Sequence, residues 1–345
     1  MHRLHVILIT AFSLLLLACS KSDDVLAFIG FKKPAHFPAP VYKLENNPVT
    51  QEGFELGRKL FYESRLSRNN TVSCGFCHLQ TAAFTHHGHD VSHGIDDRLG
   101  SRNSPPIMNL AWNTTFMWDG GVFDLDLQPI VPITNPVEMD ETVENVQNKL
   151  RNTAPYPAMF KKAFGTEEIT TARMMKALSQ FMVMLVSDQS KYDSVIRKQG
   201  PTFTQEEQQG YKLFQQKCSG CHKEPLFTDQ SFRNNGIGRG PNNDEGRYPV
   251  TLNVNDKYKF KVPSLRNLAY TAPYMHDGRM YTLNAVLDHY SSEVQDMATL
   301  DPLLRQNGAL GIPLSANEKQ YLSAFLNTLN DRHFITDKRF SEESQ

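Results

Sequence analysis

The chain has 345 residues, 40% of them hydrophobic, and its 36 Lys and Arg residues nearly balance its 37 Asp and Glu residues. A net charge of −1 gives no electrostatic attraction to nucleic acid, so no nucleic-acid partner is expected. The length allows two domains of ordinary size, each with a core.

Residues 1–18 are predicted to be a signal peptide. Arg3 precedes an apolar run over 6–17 that is too short to span a bilayer. The small residue before Cys19 resembles the lipobox of bacterial lipoproteins, which makes Cys19 a predicted lipid anchor. The alternative is an ordinary secretory signal with a stray cysteine. Either way the mature protein works outside the cytoplasm, and Ser20 favours lipid anchoring to the outer membrane on its periplasmic side.

The first helix is predicted after an irregular lead-in. Residues 19–48 are rich in Pro, Lys and Asp without a sustained period, and we interpret them as a tether. Apolar residues then recur at helical spacing after Thr50, a good N-cap residue. This pattern predicts an amphipathic helix that ends near Ser64.

Two short motifs predict the cofactors. Cys74 and Cys77 precede His78, and the same spacing returns in Cys218-Ser219-Gly220-Cys221-His222. Two thiols at this spacing can add across the vinyl groups of one porphyrin, and the adjacent histidine reaches the iron. Disulfides or zinc knuckles are the alternatives, but a zinc ribbon would place the cysteine pairs only about 15 to 20 residues apart. We therefore predict two covalent c-type haems, with His78 and His222 as proximal ligands.

The segments around the motifs form an internal repeat. Gly57-Arg58-Lys59-Leu60-Phe61 precedes the first motif, and Gly210-Tyr211-Lys212-Leu213-Phe214, after a capping box at Thr204, precedes the second. Each half closes with a predicted helix whose apolar stripe is expected in the core. In the first half the stripe is Met174, Leu178, Phe181 and Leu185. In the second half it is Tyr321, Leu322, Phe325 and Leu329, and a capping box at Ser315 precedes it. The predicted fold is mainly α, with class I cytochrome c-like haem domains over 49–197 and 203–336 joined by a short hinge.

Five further segments indicate which protein family the chain resembles. They are Arg102-Asn103-Ser104-Pro105, Met117-Trp118-Asp119-Gly120, 135–139 (Asn-Pro-Val-Glu-Met), 260–267 (Phe-Lys-Val-Pro-Ser-Leu-Arg-Asn) and 272–278 (Ala-Pro-Tyr-Met-His-Asp-Gly). In this order they resemble the bacterial di-haem cytochrome c peroxidase family, which includes MauG. The resemblance covers nearly the whole mature chain. It implies that the N-terminal haem is the peroxide site and that the C-terminal haem stores or relays electrons.

The resemblance also implies site residues. Glu138 matches the distal acid-base carboxyl, Pro132 lines the same pocket, and Trp118 lies between the haems. Asn103 and the backbone carbonyls of Thr271 and Pro273 match a calcium site, which suits an all-oxygen ligand set. Apolar neighbours of Glu138 are expected to raise its pKa toward the working pH. Trp112 is expected in the core.

The distal iron ligands decide the subclass. For the first haem the resemblance offers His93, although the nearby His86, His87 and His89 could make this simply a solvated loop. For the second haem, Tyr290 stands where MauG has tyrosine and the peroxidases have methionine. Met275 and Met280 are alternatives. A thioether favours ferrous iron and a phenolate favours ferric iron, so Tyr290 argues against a purely electron-storing haem.

Three functions follow from the resemblance and the motifs. The first is reduction of hydrogen peroxide to water with electrons from a small cytochrome c or cupredoxin. The second is MauG-like oxidation of a partner protein. Both tryptophans, Trp112 and Trp118, lie in the first half, so the second-half surface tryptophan through which MauG oxidises its protein substrate is absent. The third is a non-enzymatic electron-transfer cytochrome. A homodimer is left open as an assembly.

Overall fold

The computed structural model describes residues 28–306 and 308–342. The predicted signal peptide, Cys19 and the first part of the predicted tether lie outside the described residues. The described part is mainly helical, as predicted, and none of its helices is both long and apolar enough to cross a bilayer. The helices are α1 Gln51–Phe61, α2 Cys74–Cys77, α3 Ile130–Thr134, α4 Val143–Arg151, α5 Tyr156–Phe164, α6 Thr171–Met184, α7 Lys191–Ile196, α8 Gln205–Lys217, α9 Tyr248–Thr251, α10 Leu283–Asp288, α11 Ala316–Asn327 and α12 Arg332–Thr336.

The strands are two residues each. β1 (Phe232–Arg233) pairs antiparallel with β2 (Phe260–Lys261), and β3 (Arg305–Gln306) with β4 (Ala309–Leu310). A π-helical turn, His289–Glu293, continues α10. The β1–β2 pair matters for the sites because it brings the 260–267 segment beside the residues that follow the second Cys-x-x-Cys-His motif.

Three helices begin at the predicted N-cap residues. Thr50 caps α1 through its side chain, and full capping boxes begin α8 at Thr204 and α11 at Ser315. A capping side chain satisfies backbone N–H groups that have no partner within the helix, which fixes where the helix begins. Helix α1 ends at Phe61, three residues before the predicted end.

The internal repeat is visible as two matching helix crossings. Helix α1 crosses α6 at Gly57, and a side chain there would overlap the carbonyl oxygen of Ala177. Helix α8 crosses α11 at Gly210, where a side chain would overlap the carbonyl oxygen of Tyr321. In each pair the crossing helix places a phenylalanine one turn further on, Phe181 or Phe325, against the glycine. The predicted apolar stripes on α6 and α11 therefore face these crossings.

Two main clusters of buried apolar side chains surround the crossings. The first contains Leu56, Leu60, Phe61, Met174, Leu178 and Phe181, and the second contains Phe214, Phe227, Leu322, Phe325 and Leu329. Three buried residues pack outside their predicted domain ranges. Tyr192, inside 49–197, is buried in the second cluster, and Leu226 and Phe334, inside 203–336, are buried in the first. The two clusters therefore do not follow the predicted boundary residue by residue.

The last part of the predicted tether, residues 28–48, belongs to the folded protein. Residues 28–48 are irregular, as expected, but they pack onto the first cluster instead of extending from it. Phe37 is buried edge-on against Trp112, whose indole Nε1 donates to the carbonyl oxygen of Pro38 at 2.9 Å. Prolines interrupt this segment and remove any period, which is why its burial was not predicted.

Candidate functional site

The first Cys-x-x-Cys-His motif forms a single helical turn, α2, with His78 as the next residue. The His78 Nδ1 atom is 2.7 Å from the carbonyl oxygen of Phe84. Because a carbonyl only accepts, Nδ1 carries the proton, and the lone pair on Nε2 is left for a metal. Burial lowers the pKa of His78 to about 4, so the imidazole is neutral as a metal ligand must be.

The second motif repeats this arrangement. It follows α8, and His222 Nδ1 is 3.1 Å from the carbonyl oxygen of Phe227 and 3.2 Å from that of Pro263. Burial again lowers the pKa of the imidazole. Each histidine is therefore oriented by a backbone carbonyl five or six residues further along, and His222 by that of Pro263 as well, which leaves Nε2 available for a metal.

The cysteines and the space beside them fit a porphyrin. Cys74, Cys77, Cys218 and Cys221 are all free, and the described residues contain no group of three or more His, Cys, Asp or Glu side chains able to hold a metal ion. Among the described residues, these four cysteines are therefore not paired with one another. A cavity of about 370 Å³ is lined by Cys77 and His78 from the first half and by residues 261–264 from the second. A thiol and a ligating imidazole facing one cavity is what a covalent haem requires.

Glu138 and Pro132 line this same cavity. Burial raises the pKa of Glu138, while a 2.7 Å hydrogen bond from Asn135 Nδ2 to Glu138 Oε1 acts in the opposite direction. The pKa of the Cys77 thiol, which lines the same cavity, is raised by burial and then by the charge of Glu138. A carboxyl with a raised pKa is better suited than an exposed one both to take and to return a proton.

The two tryptophans have different environments. Trp118 lines the cavity, its Nε1 donates to the Asn103 carbonyl oxygen at 2.8 Å, and its own carbonyl accepts from Lys261 N at 2.7 Å. The indole is thus fixed between the first-half cavity and strand β2 of the second half. Trp112 is 1% exposed and belongs to the core, as expected.

Oxygen atoms surround the side chain of Asn103. Its Nδ2 donates to the carbonyl oxygens of His89 at 3.1 Å and Asp90 at 3.2 Å, and its backbone N–H donates to the carbonyl of His276 at 2.8 Å. Such oxygens suit a hard cation. The ones in contact come from residues 89–90 and not from Thr271 or Pro273, which lie just before His276 in the chain. The calcium site with Thr271 and Pro273 stays a prediction.

His93 lies beside the first motif, but its ring is turned toward other histidines. The His93 carbonyl oxygen is 3.2 Å from Cys77 Sγ. The ring is 4.5 Å from that of His89, its Nδ1 is 2.9 Å from Asp97 Oδ1, and it is not among the side chains lining the cavity. Ligation of the first haem by His93 stays a prediction.

Tyr290 lies in the π-helical turn close to the second motif. Burial raises the pKa of its phenol to about 12, a hydrogen bond with Asn235 lowers it, and the charges of Cys221 and Cys218 raise it further. Met275 also reaches this region, because its sulfur lies 3.5 Å from Asn235 Nδ2. Met280 pairs through its backbone carbonyl with the N–H of Tyr274 at 2.7 Å.

Four residues at these sites were not predicted to act there. Gln128 and Lys261 line the cavity, Asn135 bonds to Glu138, and Asn235 contacts the sulfur of Met275. Asn135 could have been found, since an Asn three residues before a functional Glu in a turn can reach it. Lys261, whose pKa burial lowers to about 8, lies in a segment already singled out. Nothing near Asn235 in the sequence indicates its role.

Comparison with known proteins shows extensive similarity. A model of the di-haem cytochrome c peroxidase family matches residues 51–200. The methylamine utilization protein MauG of Methylorubrum extorquens is 35% identical over 319 residues, covering 90% of this chain and 86% of that protein. Cytochrome c551 peroxidase of Nitrosomonas europaea is 35% identical over 245 residues, covering 70% of this chain and 73% of that protein.

A solved structure shows the same similarity in three dimensions. A MauG-like protein associated with microbial copper homeostasis superposes with a TM-score of 0.82 at 34% identity, covering 90% of this chain and 98% of that one. The chain therefore belongs to the di-haem cytochrome c peroxidase family of oxidoreductases, whose members carry two c-type haems.

Proposed function

We propose that the chain reduces hydrogen peroxide to water outside the cytoplasm, with electrons from a small cytochrome c or cupredoxin. One observation carries the proposal: a desolvated carboxyl, Glu138, faces the same cavity as the ligating histidine of the first motif. The bound haem supplies an electron-rich, Lewis-acidic iron. Peroxide, two electrons and two protons give two molecules of water, so a group that moves protons is needed beside the iron.

The chain's own residues account for the proton transfers. Glu138 as carboxylate takes the proton from the peroxide oxygen that is to bind iron, and as acid it returns the proton to the leaving oxygen. Asn135 holds Oε1 of this carboxyl in place through its side-chain amide. Pro132 keeps part of the wall apolar, which excludes competing water.

Trp118 supports electron transfer between the halves. Its indole lines the first cavity, and its backbone carbonyl is bonded to Lys261 in β2. The chain runs from β2 to Pro263, whose carbonyl oxygen orients His222. We propose this route, from the second motif through β2 to Trp118, as the relay for electrons that enter at the second haem.

A second candidate is MauG-like oxidation of a partner protein, which the position of Tyr290 favours. A phenolate ligand stabilises oxidised iron, so both haems would share the oxidising equivalents from peroxide. Peroxide would then change the absorbance of both haems, and Tyr290→Phe would confine the change to one. A change confined to one haem in the unaltered protein would contradict this candidate.

The location and assembly belong to the same proposal. Acylation at Cys19 would hold the protein on the periplasmic side of the outer membrane, with calcium near Asn103 joining residues of both halves. We further propose that each half, over the predicted ranges 49–197 and 203–336, carries one haem. A homodimer stays a prediction.

Glu138→Gln is the direct test of peroxide reduction. The substitution keeps size and polarity but removes the proton-accepting group, and we expect turnover to fall by about 10²- to 10⁴-fold with both haems retained. Steady-state peroxide reduction and haem content by absorbance would be measured. Glu144→Gln, the same change at an exposed position of α4, is the matched control and should leave turnover unchanged. Undiminished turnover in Glu138→Gln would remove the proposed role.

A further inference from the structure

Lys261 is a positively charged residue of the cavity wall that has no acidic partner. Its Nζ atom donates to the backbone carbonyl of Thr115 and lies 5.9 Å from the ring centroid of Phe116, which also lines the cavity. Among the residues that the structure describes, no other acceptor bonds to this ammonium group, although it has three donors. Burial lowers its pKa to about 8, and no neighbouring carboxylate acts in the opposite direction. The protein therefore leaves the charge of Lys261 uncompensated.

Arg102 also lines the cavity, but carboxylates already compensate its charge. Its guanidinium donates to Asp119 Oδ2 at 2.6 Å and to the two carboxylate oxygens of Asp244 at 2.6 and 2.8 Å. Burial lowers the pKa of Arg102, and the two carboxylates outweigh burial and raise it. An anionic group in the cavity would meet two negative charges beside Arg102, whereas beside Lys261 it would meet an unpaired positive charge. Lys261 is thus the favoured position for an anion.

The residue that Lys261 contacts has an unsatisfied polar group of its own. Thr115 is buried, and its Oγ1 atom has no hydrogen-bond partner in the described part of the chain. Buried hydroxyl groups are nearly always hydrogen-bonded, because leaving water without a new partner costs free energy. An oxygen acceptor at this place would offer a partner to Lys261 and to Thr115 together. The chemistry that fits is a carboxylate, which has two acceptor oxygens and a negative charge.

The haem that this cavity fits supplies such a carboxylate. The cavity is lined by Cys77 and His78 of the first motif and by no residue of the second motif, so the haem concerned is the first one. A c-type haem is bound to the cysteines through its vinyl groups. Its two propionate carboxylates lie at the other edge of the ring and are directed away from the cysteines. Residues 261–264 bring the second half of the chain to the same wall.

We propose that Lys261 forms an ion pair with a propionate of the first haem, and that this pair ties the cofactor of one half to strand β2 of the other. Hydrogen bonds between charged partners are roughly twice as strong as those between neutral ones, and each charge here compensates the other. The pair forms without any bond to iron and without transfer of a proton or an electron. It therefore stands or falls independently of the proposed peroxide reduction.

The ion pair would connect the two haem sites through a few covalent and hydrogen bonds. Lys261 N donates to the carbonyl oxygen of Trp118 at 2.7 Å, and two residues later the carbonyl oxygen of Pro263 orients His222. A cation beside the propionate stabilises the reduced haem, because reduction removes one unit of positive charge from the iron. Lys261 should therefore raise the reduction potential of the first haem and leave that of the second largely unchanged.

Reduction potentials of the two haems in the intact protein test the ion pair. Lys261→Leu removes the charge and the donors, so the potential of the first haem should fall. Lys261→Arg keeps a positive charge and should remain close to the unaltered protein. Lys259→Leu is the matched control, two residues earlier, at a side chain that pairs with Asp256 and does not line the cavity. It should leave both potentials unchanged.

The first haem is identified in the titration by its attachment. Cys77→Ser leaves it bound through Cys74 alone, and a haem with a single thioether bond absorbs at longer wavelength when it is reduced. In this background the wavelength of each reduction step shows to which haem the step belongs. A shift confined to the second haem, or no shift at either haem in Lys261→Leu, would overturn the proposal.

Resonance Raman spectra of the reduced protein give a direct readout of the carboxylate. The bending mode of a haem propionate moves to lower frequency when the propionate loses a strong hydrogen bond. Lys261→Leu should lower the frequency of one propionate mode, whereas Lys261→Arg and Lys259→Leu should not. A purely structural role of Lys261, through its bond to the Thr115 carbonyl, would leave this mode in place. An unchanged mode in Lys261→Leu with both haems retained would therefore reject the ion pair, as would a potential that falls equally in Lys261→Arg.

Discussion

At the scale of single residues, opposing effects act on Glu138. Burial in the cavity wall disfavours the carboxylate and raises its pKa, whereas the hydrogen bond from Asn135 favours the carboxylate and lowers it. Burial is the larger effect, so the net shift is upward. The group therefore loses its proton at a higher pH than an exposed glutamate, which suits a group that must both accept and release a proton.

This balance predicts a pH effect of changing Asn135. Asn135→Asp keeps the oxygen that accepts from Val137 N at 3.1 Å but replaces the donor to Glu138 by a second carboxylate. Both changes disfavour the Glu138 carboxylate, so its pKa should rise further. Because the reaction begins with the carboxylate form, the acidic limb of the kcat/KM profile for peroxide should move to higher pH by the same amount.

The same pH profile of kcat/KM also contains a control. The alkaline limb should not move, since Glu138 is already ionised there, and Glu138→Gln should show no acidic limb of this origin. An acidic limb of Asn135→Asp that coincides with that of the unaltered protein, or that moves to lower pH, would mean that another group controls proton transfer.

At the scale of helices, the repeated glycine has a specific physical cause. Gly57 and Gly210 stand where α1 crosses α6 and α8 crosses α11, and in both places the backbone of the crossing helix occupies the space of a side chain. A glycine in mid-helix costs about 0.5–1 kcal/mol relative to alanine in helix propensity. Close approach of the two helices, with burial of Phe181 and Phe325, outweighs that cost.

Alanine at either position should therefore destabilise the protein in spite of its better helix propensity. For Gly57→Ala and Gly210→Ala we expect a loss of about 1–3 kcal/mol, since each pair of helices must separate to admit a methyl group. Urea unfolding followed by far-ultraviolet circular dichroism would measure it. Gln209→Ala, at an exposed position next to Gly210, should change stability by less than about 0.5 kcal/mol. A stabilised Gly210→Ala would show that the helices are not closely apposed in solution.

Local signals in the sequence predicted helices α1, α6, α8 and α11 and the two haem attachment motifs, whereas the shorter helices were not predicted from them. The capping boxes at Thr204 and Ser315 and the cap at Thr50 mark helix starts through bonds between near neighbours, which a sequence displays directly. The packing of residues 28–48 and the contacts of Asn235 were not predicted. Both depend on segments that are far apart in the chain and carry no period, so only the folded structure brings them together.

At the scale of the whole molecule, a buried ion pair joins the halves. Arg266 and Asp193 are both fully buried, and two guanidinium nitrogens donate to the two carboxylate oxygens at 2.9 and 2.8 Å. Arg266 belongs to the second-half segment 260–267, while Asp193 lies on α7 between the halves. His36 Nε2 from the lead-in is 2.8 Å from the same carboxylate, and the guanidinium lies 4.9 Å from the ring centroid of Phe37. The lead-in, helix α7 and the second half of the chain therefore all contact this one ion pair.

The C-terminal segment makes a second connection between the halves. Tyr62 OH donates to the Phe340 carbonyl oxygen at 2.7 Å, and Gln80 Nε2 donates to the Asp337 carbonyl oxygen at 2.7 Å. Phe340 is buried in the first apolar cluster. Because the chain returns to the first half after completing the second, the relative position of the two haem motifs is held from both sides of the linker.

The ion pair gives a stability prediction with a definite pH window. Hydrogen bonds and charge from Arg266 outweigh the burial of Asp193 and lower its pKa from 3.8 to about 2. A lowered carboxyl pKa stabilises the folded state above the unfolded value, and this contribution is lost as the pH falls from about 4 to about 2. Asp193→Asn should cost about 3–5 kcal/mol at neutral pH, because it leaves the Arg266 charge buried without its partner. The variant should also lose the part of the acid sensitivity that arises in this window.

Urea unfolding of the holoprotein at neutral pH and at several values between pH 4 and pH 2 would measure both effects. Asp193→Asn combined with Arg266→Met should be less destabilised than Asp193→Asn alone, since removing both charges avoids an unpaired buried cation. Asp96→Asn is the surface control, because Asp96 pairs with Arg68 where both side chains are about half exposed, and it should cost less than about 1 kcal/mol. If Asp193→Asn and Asp96→Asn were equally mild, the buried pair would not hold the halves together, and the contacts of the C-terminal segment would have to carry that role.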